Sequence, residues 1–259
     1  MIAIRHRIPC LIEKPLTDSV SSAEALVSAA KTAGVPILVG HHRRHNPIIQ
    51  DAKARIARGD LGRIVAAHAF FWLYKPDDYF DVAWRREPGA GPVLINLIHD
   101  IDLLRYLVGE IDEVHAVQSN AARGHAVEDT TCAVIRFAGG ALGTISVSDS
   151  IAAPWSWEMT SGENPAYSKT EEPCYLIGGT EGSLSIPRSE LWRHPGKRSW
   201  WEPIAPERTE ITAADPLVAQ LHHFSAVIRG EAEPLVSGDE GLKSLKAVAA
   251  IQAAAARTA

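Results

Sequence analysis

Apolar residues recur along this chain in two periods. Positions 8–13 form a short apolar run closed at Pro15, and positions 35–40 form a second one. Between them Ala23, Leu26, Val27 and Ala30 fall at helical spacing. Ser21 and Glu24 read as a capping box at the start of that helix, and Gly34 as its stop. Two short apolar runs around an amphipathic helix predict a strand–helix–strand unit in a parallel sheet. Residues 1–7 read as the tail of a helix that feeds the first strand.

After Asn46 and Pro47 the pattern changes. A helix is expected to about Arg58, closed by Gly59, then an aromatic-rich strand over 63–74 with Phe70, Phe71 and Trp72. Residues 92–108 are strongly apolar and predict one helix, stopped by Gly109. Strands are expected over 114–120, 130–137 and 141–148, the last two joined by Ala138, Gly139 and Gly140, a hairpin signal. Residues 175–177 and 183–186 flank the turn 178–182. Asp215 and Pro216 open a helix with Leu217, Leu221, Phe224 and Ile228 on one stripe, and 239–256 is a final alanine-rich helix. Residues 151–172 and 193–214 read as polar, proline-rich loops. The order predicts an α/β unit over 1–43 followed by an α+β domain over 44–259, built on a large, mostly antiparallel open sheet.

Composition narrows the class. The chain has 259 residues, 46% hydrophobic and 22% charged, with a formal charge of −5. That charge offers no general attraction to nucleic acid or an anionic membrane, and no apolar run approaches the roughly 20 residues of a membrane span. Cys10, Cys132 and Cys174 are far apart without a CxxC pair, which points away from a disulfide framework or structural zinc and towards a reducing cytoplasm.

Three clusters carry possible chemistry. Glu13-Lys14-Pro15 ends the first strand, where ligands of open α/β sheets bind, and a lysine there can polarise a carbonyl or stabilise an alkoxide; the bland alternative is a surface lysine in a turn. Asn96, His99 and Asp102 share one broad face of the helix over 92–108, with an imidazole suited to proton exchange near neutrality. Gly89-Ala90-Gly91 before it permits close approach, and the helix N-terminus favours an anion or phosphate. His41, His42 and His45 invite a metal, but their spacing is not HxxxH and no acidic ligand is adjacent. Arg43 and Arg44, at a strand end, suit phosphate or carboxylate, or structural salt bridges.

The ordered set Glu13-Lys14-Pro15, then Gly40 to Pro47, Trp84-Arg85, Gly89 to Pro92 and Asn96 to Asp102 resembles the Gfo/Idh/MocA oxidoreductases. The resemblance covers essentially the whole chain. It implies a Rossmann domain for NAD or NADP, a second domain whose sheet binds substrate and oligomerises as a homodimer or homotetramer, and hydride transfer with a sugar or polyol. By resemblance Lys14 lies beside nicotinamide and substrate, His99 exchanges the hydroxyl proton, and Trp84-Arg85 approaches the cofactor. Glu13, Pro15 and Arg43 join the cofactor set, Asn96 and Asp102 the substrate set.

Two departures stand out. Many members carry an aspartate four residues before the histidine; here that position is Ile95. No GxGxxG occurs, so residues 1–43 are expected to be the C-terminal remnant of a Rossmann domain and the chain to be truncated. The alternatives are a non-catalytic remnant keeping the oligomerising sheet, and a metal-dependent sugar isomerase or lyase using the histidines.

Overall fold

The structure, a computed structural model, describes residues 1–257. Strands β1 (Cys10–Ile12) and β2 (Ile37–Val39) pair in parallel, Cys10 opposite Ile37. Helix α2 (Val20–Ala33) crosses between them and ends on Gly34 in the left-handed conformation. Its cap is Ser19 rather than the Ser21–Glu24 box: Ser19 has the extended backbone a cap requires and accepts from the Ser22 N–H, whereas Ser21 is already helical. Ile4 of the short helix α1 (Ile2–Arg5), Leu16, Val27, Ile37 and Val39 form a small core.

The second layer is an eight-stranded sheet. In chain order its strands are β3 (Ile64–Trp72), β4 (Ile111–Ser119), β5 (Thr130–Phe137), β6 (Leu142–Ser148), β7 (Tyr175–Gly179), β8 (Ser183–Ile186), β9 (Glu190–Arg193) and β10 (Ala205–Arg208). Their spatial order is β10-β9-β8-β7-β3-β6-β5-β4. Every pairing is antiparallel except β3 with β6. The hairpin expected at Gly139-Gly140 joins β5 and β6, with Gly140 at φ 83. Along β5 the residues Ala133, Ile135 and Phe137 face the core while Val134 stays exposed, the period-two signature of a sheet covered on one side.

Helices α3 (Pro47–Arg58), α5 (Leu97–Leu107) and α8 (Gly238–Ala256) accompany the sheet. Helix α8 joins the two layers: Leu245 belongs to the small core, Val248 and Ile251 to the large one. Leu94 packs against both.

Four further expectations change. The helix over 92–108 is two helices, α4 (Pro92–Ile95) and α5, broken at Asn96. The loop over 193–214 contains β10, whose four residues are all exposed and show no alternation; its pairing with β9 and the Arg193–Glu207 ion pair hold it. The loop over 151–172 contains the one-turn helix α6 (Trp157–Thr160). On helix α7 (Pro216–Ile228) the stripe is outward: Leu217, Leu221 and Ile228 are more than half exposed. That helix instead buries Gln220, whose amide donates to the Val39 carbonyl at 3.4 Å. The apolar period was real, but a polar contact to the end of β2 chose the other face. Among the described residues no helix is long and apolar enough to cross a membrane.

Candidate active site at a broken helix

Helix α4 is one turn long, started by Gly91 and Pro92. At Asn96 the chain turns to φ −109, ψ −57 and helix α5 begins. A continuous helix would use the Ile95 carbonyl for the His99 N–H. Here the His99 N–H donates to the Asn96 carbonyl at 3.1 Å, and the freed Ile95 oxygen accepts from Lys14 Nζ at 2.7 Å. Orphan carbonyls at a helix end need outside donors, and the end of β1 supplies one. Glu13 is exposed beside it, with Pro15 following across a cis bond. Gly40, at the end of β2, sits close to β1: a Cβ there would stand 3.0 Å from Glu13 Oε2 and 3.2 Å from Glu13 Cα, a tight fit.

His99 is buried, its Nδ1 without a partner, leaving Nε2 as the nitrogen not sealed off. The rings of His41 and His42 meet it edge-on, with centroids 5.5 and 5.3 Å away. Burial, then the charges of Arg43 and Lys14, hold the His99 pKa well below the ordinary histidine value. Burial likewise lowers His41 to about 4. Lys14 is lowered by burial first and by Arg43 next. Burial therefore works against the charged form of both groups at the break. Among the described residues no three His, Cys, Asp or Glu side chains are arranged to hold a metal ion.

The arginines and Asp102 are committed elsewhere. Arg43 is buried and pairs with Asp100 at 3.0 Å and Glu158 at 2.7 Å. Arg44 grips Asp102 through two bonds, 2.8 and 2.7 Å, and reaches Glu240 at 3.0 Å. Asp102 also accepts from Ser244 at 2.9 Å. Arg43, expected at the cofactor, and Asp102, expected at the substrate, are both held by partners within the chain. A buried guanidinium needs its carboxylates, and these pairs lock α5 to the turn 42–45 and to α8. The arginine pair does bind carboxylate, but the chain's own. Asp100 keeps one oxygen unpartnered and is raised to about 6 by burial.

Asn96 does lie at the break, and its partner was missed. Lys75, just beyond β3, donates to Asn96 Oδ1 at 2.9 Å and pairs with Asp149 at 3.3 Å. A lysine directly after Tyr74 gives no local signal of burial. Arg85 connects to the site through Tyr79, and Trp84 packs beside Arg85. The Arg85 guanidinium stacks 4.0 Å from the Tyr79 ring, the Lys75 ammonium sits 5.0 Å from the same ring, and Trp84 is exposed. The anion expected before Pro92 comes from within: Glu128 accepts from the Val93 N–H at 3.3 Å and occupies the space a Gly91 side chain would need.

A parallel strand–helix–strand unit docked on a large open sheet, with a lysine and a buried histidine meeting at the seam, defines a two-layer oxidoreductase architecture. The chain belongs to the GFO/IDH/MocA family, whose C-terminal domain matches residues 49–185, over half its length. It is 29% identical over 262 residues to a 1,5-anhydro-D-fructose reductase of Ensifer adhaerens, covering 99% of this chain and 73% of that protein. It is 27% identical over 237 residues to the scyllo-inositol 2-dehydrogenase (NAD(+)) of Bacillus subtilis strain 168, covering 87% and 62%. The WlbA dehydrogenase from Bordetella pertussis, solved in complex with NADH and UDP-GlcNAcA, superposes with a TM-score of 0.74 at 25% identity, over 100% of this chain and 72% of that one. The chain thus spans 62% to 73% of the length of these three proteins.

Proposed function

We propose that this chain carries the substrate side of a nicotinamide-dependent oxidoreductase that moves hydride between NAD or NADP and a secondary alcohol of a sugar or polyol. One observation carries the reading: Lys14, bonded to the Ile95 carbonyl at the break before α5, lies close enough to His99 for its charge to lower that imidazole's pKa, and burial works against the charged form of both.

In the oxidising direction His99 accepts the hydroxyl proton through Nε2. Lys14, pinned on the Ile95 oxygen, keeps ammonium or amine hydrogens for the oxygen that becomes a carbonyl. Asn96 holds a further polar group of the substrate. A bound nicotinamide ring supplies the hydride acceptor. The ends of β1 and β2, which approach closely at Gly40, would hold that end of a dinucleotide. Residues 1–43 belong to the dinucleotide-binding part in this reading, and 44–259 to the substrate and assembly part. The uncovered sheet face, with Val117, Val134 and Leu142 exposed, pairs with a second copy in a homodimer or homotetramer. Three free cysteines suit a reducing cytoplasm.

Turnover of a polyol panel with NAD or NADP, by this chain or a longer one containing it, tests the reading. Lys14→Met and His99→Asn should each lower turnover about 100-fold or more, the scale of general acid–base help. Near-normal turnover in either variant removes that residue from the chemistry.

A further inference from the structure

The segment after β6 brings one carboxylate towards the broken helix. Ser156 caps α6, its hydroxyl accepting from the Met159 N–H at 3.3 Å, and the Thr160 hydroxyl donates back to the Ser156 carbonyl at 2.7 Å. Trp157 is buried and its ring N–H donates to Glu163 at 3.0 Å. Glu163 in turn accepts from His42 at 2.8 Å and from Asn46 at 2.9 Å. This one-turn helix is thereby tied to residues 42–46, and Glu158, its second residue, is held with it.

Glu158 is only half used. Oε1 accepts from Arg43 Nη2 at 2.7 Å, while Oε2 has no hydrogen-bond partner among the described residues. Asp100, the other carboxylate on Arg43, also keeps a free oxygen, but its side chain is 1% exposed and that of Glu158 is 17% exposed. Glu158 acts on both layers: burial lowers Lys14 and Lys75, and the charge of Glu158 opposes that in each. The cations around it are matched within the chain, Lys75 by Asp149 at 3.3 Å, Arg123 by Asp149 and Asp77 at 3.2 and 3.4 Å, and Arg43 by Asp100 and Glu158. None of these is left over for an acid. What the site lacks is a donor for Oε2.

A carboxylate oxygen only accepts, so its complement is an N–H or O–H group. An ammonium brought there would face Lys14 and Lys75, and a second carboxylate would face Glu158 itself. Resting on the reading above, we infer that Glu158 is a specificity-determining residue, whose Oε2 accepts a hydroxyl hydrogen from an uncharged polyhydroxy substrate while a different hydroxyl carbon faces Lys14 and His99. The oxygen is covered by its surroundings, and a small turn about the soft terminal torsion of the carboxylate exposes it.

Calorimetric titration without cofactor tests this. The probes are myo-inositol with its deoxy counterparts, the quercitols, and D-glucose with its monodeoxy analogues, together with D-glucuronate and D-glucosamine. At least one parent polyol should bind about tenfold or more tightly than the analogue lacking one particular hydroxyl, the scale of a hydrogen bond to a charged group. In Glu158→Gln the amide oxygen can keep the Arg43 bond, which puts an N–H where Oε2 stood, so that one ratio should fall to about one while the others remain. Glu158→Asp, which keeps a charge for Arg43 but draws the free oxygen back, should do the same; thermal melts establish that the variants are folded. Equal binding of the parent polyols and all their analogues would overturn the inference and leave the polyol reading standing. A ratio that survives in either folded variant would remove Glu158, and the loss of every ratio together would make it a structural residue. Tighter binding of D-glucuronate or D-glucosamine than of D-glucose would overturn the assignment of an uncharged substrate, and binding of none of the probes would count against both readings.

Discussion

The side chain of Lys14 occupies the carbonyl oxygen of Ile95, 81 positions further on, at 2.7 Å. In an unbroken helix that oxygen would belong to the backbone N–H of His99. The lysine of one layer thus stands where the hydrogen-bond ladder leading to the histidine of the other is interrupted. Breaking the helix and bringing the two groups together are one structural event.

The pH profile should reflect this setting. His99 lies well below its ordinary value because burial, Arg43 and Lys14 all oppose its charge. The plateau of kcat/KM is therefore expected to run down through pH 6.5, with the acid limb below it. An inflection at or above 6.5 that disappears in His99→Asn would contradict the assignment.

Acid should destabilise the fold partly through His41. Its folded pKa, about 4, lies below 6.5, so the folded state binds fewer protons. The effect is absent above pH 6.5, grows as the pH falls through that window, and is complete below about 4, reaching about 3 kcal/mol. Asp100, raised to about 6, acts in the opposite sense over nearly the same range. Melting temperatures of the parent and His41→Gln between pH 4 and 8 separate the two: the variant should lose less on acidification, and parallel curves would sink the claim.

Asp102→Ala should behave as a stability mutation. The change leaves Arg44 buried with Glu240 as its remaining carboxylate partner, and removing one member of a buried pair costs roughly 3–5 kcal/mol. Urea unfolding should show that loss, while affinity for sugar probes at a temperature where the variant is folded changes little. Lost affinity without lost stability would return Asp102 to the substrate set.

Gly91→Ala should cost about 1–3 kcal/mol, as overpacking does, because its Cβ would overlap the Glu128 carboxylate. Glu128→Ala in the same chain should recover part of that loss. A double-mutant cycle in urea reads the coupling, and simple additivity would mean that the two do not meet.

Val134→Lys with Leu142→Lys, on the open sheet face, should shift the sedimenting species towards monomer. An unchanged sedimentation coefficient would place the assembly interface elsewhere.

Local pattern alone determined much of this protein. The β5–β6 hairpin, the caps at Asn46 and Asp215, the glycine stops at Gly34 and Gly59, and the alternation of β5 are short-range matters of backbone freedom and burial, legible in neighbouring residues. The resemblance also pointed to Lys14, Asn96 and His99. Tertiary structure decided which of those polar groups remain available. Nothing near Asp102 announces that Arg44 and Ser244 will consume both its oxygens, and nothing near Lys75 announces Asn96. Nor does the even apolar period over 92–108 reveal a break whose carbonyl is satisfied from another strand. Helical and strand periods report which residues share a face. The partner that a buried charge or an orphan carbonyl finds is set by segments distant in sequence, and only packing brings those together.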